Sequence, residues 1–188
     1  SSTILPNISD GSAASVQTVT AVPHSVGTLG RIVEVDQRDD GTIHLVVLGD
    51  ARFRIEEVVQ PGPYLVARVT YLDDRPGTDA ATLGELSAAA RTLGQRYLRL
   101  LAAALSRDDD DGSQLLERVW KRAPTDPSAF SFFLGALIQT VHSDRQRLLR
   151  TETTADRLQD AVTLLRRENE ILRTSLRYRE DPSKPRLN

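Results

Sequence analysis

Arg52 and Arg54 are the first residues whose types and spacing could do chemistry. They alternate with Phe53 and Ile55, so in an extended strand the two guanidinium groups share one face. That face reads either as an ordinary solvated strand surface or as a polar grip on the carboxylates and carbonyls of an extended polypeptide. Phe132 is the third candidate for contact with another chain. It lies off the apolar stripe of its helix, so it either packs onto the β-rich part of the chain or stands exposed in an apolar patch.

Groups that make and break bonds are sparse. There is no cysteine, which excludes disulfides, thiolate zinc sites and cysteine nucleophiles. The only lysines are Lys121 and Lys184, and nothing around Lys121 suggests a serine positioned for attack. His24, His44 and His142 stand singly, without metal-ligand spacing, and no metal site is expected. The acidic run Asp108 to Asp111 would suit a hard cation, but it lacks the spaced ligands of a calcium loop and reads as a solvated linker. Neither a Gly-x-x-x-x-Gly-Lys-Ser/Thr phosphate loop nor a Gly-x-Ser-x-Gly elbow occurs. We therefore expect no catalytic residue and no cofactor.

The 188 residues suffice for one large domain or two small subdomains. Hydrophobic and charged fractions of 39% and 27% are those of a globular protein. A net charge of -2 argues against nucleic acid as the main partner, because such binding draws on neutralised phosphates. No apolar run approaches the roughly 18 residues that span a bilayer. The opening Ser1-Ser2-Thr3-Ile4-Leu5-Pro6 has no charged and apolar pattern of a signal peptide. These features fit a cytoplasmic setting. The chain has no methionine, so Ser1 is not expected to be a translation start.

Two regimes of periodicity must position the candidates. Up to about residue 76, short β-rich runs alternate with turn residues: Val26 to Asp36, Thr42 to Leu48, Arg52 to Val59 and Tyr64 to Leu72. Asp40-Gly41 supplies the positive φ of a tight hairpin, and Pro61-Gly62-Pro63 breaks the third run. Beyond Arg75-Pro76-Gly77 the period becomes helical. Thr82 to Glu85, Ser143 to Gln146 and Thr153 to Asp156 read as capping boxes, and Asp126-Pro127 as an N-cap followed by proline at the first helical position. We place a β-rich subdomain at residues 1–76, a helical subdomain at 77–180 and a tail at 181–188.

In the last helix Leu158, Val162, Leu165, Asn169, Leu172 and Leu176 repeat at intervals of four and three, a heptad seam with a polar residue at one a position. The seam packs either against earlier helices of the same chain or in a coiled coil with a second chain.

The series Val26-Gly27-Thr28, Arg31-Ile32, Asp40-Gly41, Leu45 to Gly49, Arg52-Phe53-Arg54-Ile55 and Tyr64 to Val69 resembles the substrate-binding domain of Lon proteases in order and spacing. The helical half is similar too, with Asp126-Pro127, the Arg145 to Leu149 step and the long final helix. The resemblance covers about residues 22 to 176 and implies an α+β fold: a PUA-like antiparallel pseudo-barrel followed by a helical bundle ending in a long helix. The first strand and helix of that family do not precede Val26. The resemblance further implies a non-catalytic module that binds unfolded or tagged protein clients; Arg52, Arg54 and Phe132 remain candidate contacts on their own types and positions. Competing readings are an oligomerisation element working through the final helix and, by fold analogy alone, an RNA-binding domain.

Overall fold

The computed structural model describes residues 22–60, 64–105 and 111–180. The tail at 181–188, the Pro61-Gly62-Pro63 break and Asp108 to Asp110 lie outside the described residues. Eight elements follow one another: β1 (Val26–Gln37), β2 (Ile43–Gln60), β3 (Val66–Leu72), α1 (Ala80–Leu105), α2 (Asp111–Lys121), α3 (Pro127–Leu137), α4 (His142–Arg150) and α5 (Thr154–Glu180). Strands followed by helices make this an α+β chain. It divides into two compact units, the break falling after Asp73 rather than at residue 76.

The first unit is an antiparallel sheet in the order β1-β2-β3. Among the described residues β1 and β3 do not pair with each other, so these strands form an open meander and not a closed barrel. The β1–β2 hairpin turns where Asp40-Gly41 was expected. Arg38 N donates to Thr42 O at 2.9 Å, Gly41 N donates to Arg38 O at 3.0 Å, and Gly41 takes φ 82°. The runs 42–48 and 52–59, read as separate strands, are one 18-residue strand. Gly49 does not turn the chain; it pairs with Gly30 inside the ladder, beside a register shift between Thr28 and Gly30. A bulge absorbs the extra residue, and β2 hands over from β1 to β3 along its length. Phe53 lies directly over Gly27, where an added Cβ would sit 2.7 Å from the ring. The aromatic side chain thus covers the gap that the glycine leaves in the pleat.

The second unit is built on α1 and α5. Both helices start at one end and run the same way. The starting ends are joined through residues 74–77, and Asn169 of α5 meets Leu93 of α1 farther along. Its core is a continuous cluster including Tyr97, Leu98, Phe130, Leu134, Ile138, Leu158, Val162 and Leu165.

The start of α5 leaves none of its first four N–H groups unsatisfied. Thr154 N donates to Arg75 O at 2.8 Å and Ala155 N to Pro76 O at 3.0 Å. Asp156 N donates to Thr153 Oγ1 at 3.1 Å, and Arg157 N to Thr153 O at 3.1 Å. A helix end without such partners would be costly. The extended residues after β3 therefore belong with the helices, which is why the break precedes them.

The caps at Asp126 and Thr153 form as their sequences imply: Asp126 Oδ2 accepts from Ala129 N at 2.8 Å. Two others differ. Asp79, not Thr82, caps α1, accepting from Ala81 N and Thr82 N at 3.0 Å each. In α4 the N-cap position is Val141, without a side-chain cap bond, and Ser143 lies inside the helix.

Candidate functional site

Arg52 and Arg54 occupy alternate positions of β2, opposite Thr28 and Val26 of β1, as strand geometry requires. Their environments differ sharply: Arg52 is only 5% exposed, whereas Arg54 is exposed. The solvated face expected to carry both is therefore offered by Arg54 alone.

Phe132 is half-buried, and the guanidinium of Arg157 stacks over its ring at 3.8 Å from the centroid. One face of the ring is thus already occupied by the chain's own cation. This also explains why Phe132 departs from the apolar stripe of α3: it packs against a charged group and not an aliphatic one.

The seam of α5 faces inward. Leu158, Val162, Leu165 and Asn169 are buried, and Leu172 packs at the edge of the same core. Leu176 is half-buried. The facing residues include Leu86, Ala90, Leu93 and Tyr97 of α1, which repeat at the same intervals of four and three. The heptad pattern is real, and α1 of the same chain fills it. A second chain would have to displace α1 to use it.

Asn169 Nδ2 donates to Leu93 O at 3.2 Å, while its buried Oδ1 has no partner among the described residues. Replacing the amide by an isosteric aliphatic removes one hydrogen bond and one stranded acceptor together. Asn169→Leu is therefore expected to change unfolding free energy by no more than about 1 kcal/mol. Its sedimentation coefficient should match that of the wild type. A shift in sedimentation would mean that the seam works between chains.

Two hollows lie on the helical unit. The first, about 570 Å³, runs between α1 and α2. Leu98, Ala102, Ala103, Leu116 and Trp120 are its apolar lining, and Gln95, Arg99, Glu117 and Lys121 its polar lining. Trp120 is held edge-on to Phe130 and Phe133 and lies against Gly94, where a Cβ would come within 2.9 Å of the indole. The sequence reading missed this groove. Its signal is a second stripe on α1, Leu98 with Ala102 and Ala103, where small side chains open space beside the main core stripe.

The second hollow is lined by Gln139, Thr140, Val141, Arg167 and Glu168. Its cation is already satisfied: Arg167 Nη2 donates to Asp144 Oδ2 at 2.7 Å and to Glu168 Oε1 at 2.9 Å. The bonds from Arg167 and from Thr140 hold the Asp144 carboxyl below its ordinary pKa. A depressed carboxylate contributes stability above its unfolded pKa, and that contribution is lost as pH falls through the folded value. Asp144→Asn should therefore flatten the fall in melting temperature between about pH 6 and pH 2 relative to wild type. Parallel melting curves check this.

Among the described residues, no three His, Asp or Glu side chains come together as a metal site would require. The fold is that of an α+β chain, an antiparallel sheet followed by helices. A family profile described as the ATP-dependent protease La (LON) substrate-binding domain matches residues 5–167. The chain belongs to that family. It is 28% identical over 152 residues to the Lon protease of Anaeromyxobacter dehalogenans (strain 2CP-C), covering 81% of this chain and 17% of that protein. Lon protease 2 of Myxococcus xanthus matches with the same identity and coverage. The chain spans about a sixth of the length of these curated relatives. Among solved structures, the N-terminal domain of the Mycobacterium avium complex Lon protease is 26% identical with a TM-score of 0.47, covering 76% of this chain and 70% of that one. A Lon N-terminal domain protein from Xanthomonas campestris gives 19% identity and a TM-score of 0.45, covering 76% of this chain and 69% of that one.

Proposed function

We propose that this chain is a non-catalytic polypeptide-recognition module that binds unfolded or tagged protein clients in the cytoplasm. Membership of a substrate-binding family supports the class. The single observation that carries the finer reading is the apolar surface of the β1–β2 ribbon. Ile32, Val35 and Ile43 are 57%, 62% and 59% exposed, and Leu45 and Val47, on the same face of the ladder, are exposed beside them. Cross-strand pairing groups them: Ile32 opposes Val47, and Val35 opposes Leu45. Aliphatic side chains scattered singly on a surface need no explanation, but a contiguous patch marks a place where another chain is bound. Covering it would release ordered water and supply affinity without demanding a fixed sequence, as a binder of many clients requires. Arg54, exposed on the same strand, adds a polar contact at the end of this ribbon.

Photo-crosslinking residues placed at Ile32, Val47 and Arg54 test the proposal with a permanently unfolded protein as client. Capture at Ile32 and Val47, competed away by excess unlabelled client, is the expected result. Crosslinks confined to the protein's own chain would assign this face to intramolecular packing and overturn the reading.

A further inference from the structure

We propose that the groove between α1 and α2 is an anchor site for one large apolar residue of a client segment that carries a carboxylate beside it. This rests on the reading of the chain as a polypeptide binder and adds a second, chemically distinct contact to it. The apolar lining explains the apolar half of the specificity. Ala102 and Ala103 leave the hollow that longer side chains on α1 would fill, and Trp120 offers a broad indole surface beside Leu98 and Leu116. At about 570 Å³ the groove falls in the size range of sites that enclose a ligand group. A tryptophan in such a hollow is the kind of residue on which binding energy concentrates.

The polar lining explains the charge. Arg99 comes from α1 and Lys121 from α2, against the single acid Glu117. Among the described residues none of these three forms an ion pair. The groove therefore offers two cations whose long stems can line apolar surface while their heads meet an incoming anion. The hollow at Arg167 differs. There the guanidinium is already neutralised by Asp144 and Glu168 and has no charge left to offer. A client with a Leu or Phe next to Asp or Glu complements the α1–α2 groove, and one with a flanking Lys does not.

Trp120 is the only tryptophan of the chain, so its emission reports on this groove alone. The experiment titrates the full chain with two tryptophan-free peptides that share a Leu-Phe core, one flanked by Asp and one by Lys. Binding is read in parallel by anisotropy of a dye on the peptide. The Asp-flanked peptide should shift Trp120 emission saturably and bind at least about tenfold more tightly than the Lys-flanked one. Ala103→Arg, at an exposed helical position, should abolish the emission change while circular dichroism stays that of the wild type. The double variant Arg99→Glu with Lys121→Glu should invert the preference between the peptides. Equal binding of both peptides, or anisotropy binding that neither variant alters, would overturn the groove while leaving client binding standing. Failure of the wild type to bind either peptide or an unfolded protein would overturn both.

Discussion

Arg157→Ala should destabilise the protein by about 3–5 kcal/mol, the cost of losing a large buried side chain together with its hydrogen bonds. Arg157 is completely buried, yet each of its three guanidinium nitrogens donates a hydrogen bond. Nε donates to Ser131 Oγ at 2.7 Å, Nη1 to Thr151 O at 2.8 Å and Nη2 to Asp74 Oδ1 at 3.3 Å. The Phe132 ring lies beneath it. Truncation would leave Ser131, itself buried, without this partner, open a cavity over Phe132, and release Asp74 from α5. Arg157→Lys should recover little, because an ammonium cannot reproduce the planar fork that reaches three acceptors. Asp74→Asn should cost less, because the amide keeps an acceptor oxygen beside Nη2 and the bonds to Ser131 and Thr151 stay, although it leaves the buried guanidinium facing a neutral group. Urea unfolding of the three variants ranks them. A cost near that of Asp74→Asn for Arg157→Ala would show that water replaces the guanidinium freely, contrary to the packing seen.

The helical half was legible wherever one local pattern had one reading. Asp126-Pro127 admits little except a helix start, and it is one. The run Thr78 to Glu85 was ambiguous: Asp79 with Thr82 satisfies the same spacing as Thr82 with Glu85, and the chain uses the earlier pair. The α5 seam was legible as a heptad, but a seam does not carry the identity of its partner. Only the matching intervals on α1, more than fifty residues earlier in the chain, settle that, and the two helices become neighbours through tertiary packing. Arg157 was not legible at all, since an arginine in a charged helix ordinarily reads as surface. In the β half, the runs 42–48 and 52–59 read as separate strands. The ladder with β1 on one part of β2 and with β3 on the other overrides that local division. The candidate site divides in the same way. Arg52 and Arg54 were placed correctly on one strand, but burial of one and exposure of the other depends on neighbours that alternation does not specify. The α1–α2 groove was hidden because alanines read as helix formers, and the space they leave has meaning only once α2 lies across them.

Gly77→Ala should cost about 2–4 kcal/mol, several times the effect of the same change at Gly41, although the two glycines share a φ of 82°. The shared part is the left-handed backbone, which costs an L-residue roughly 1 kcal/mol at either site. The difference lies in what a Cβ would meet. At Gly41, in the hairpin turn, nothing lies within 4 Å, so the substitution pays the conformational cost alone. At Gly77 the new atom would fall 2.5 Å from both Cβ and Oγ1 of Thr153. Thr153 Cβ cannot swing aside, because its position is fixed by a backbone that accepts from Arg157 N. Its hydroxyl is also committed, accepting from Asp156 N and donating to Asp156 Oδ2 at 2.6 Å. Relief therefore requires the segment 75–77 to move off α5, which would strain the two bonds from Thr154 and Ala155 that complete the helix start. Thr153→Ala in the Gly77→Ala background would remove the hydroxyl but not the Cβ, so it should not rescue. Thr153→Gly should rescue part of the loss despite forfeiting the cap. Denaturation midpoints of the single and double variants decide it, and equal losses at Gly41 and Gly77 would show that residues 75–77 do not hold the helix start as described.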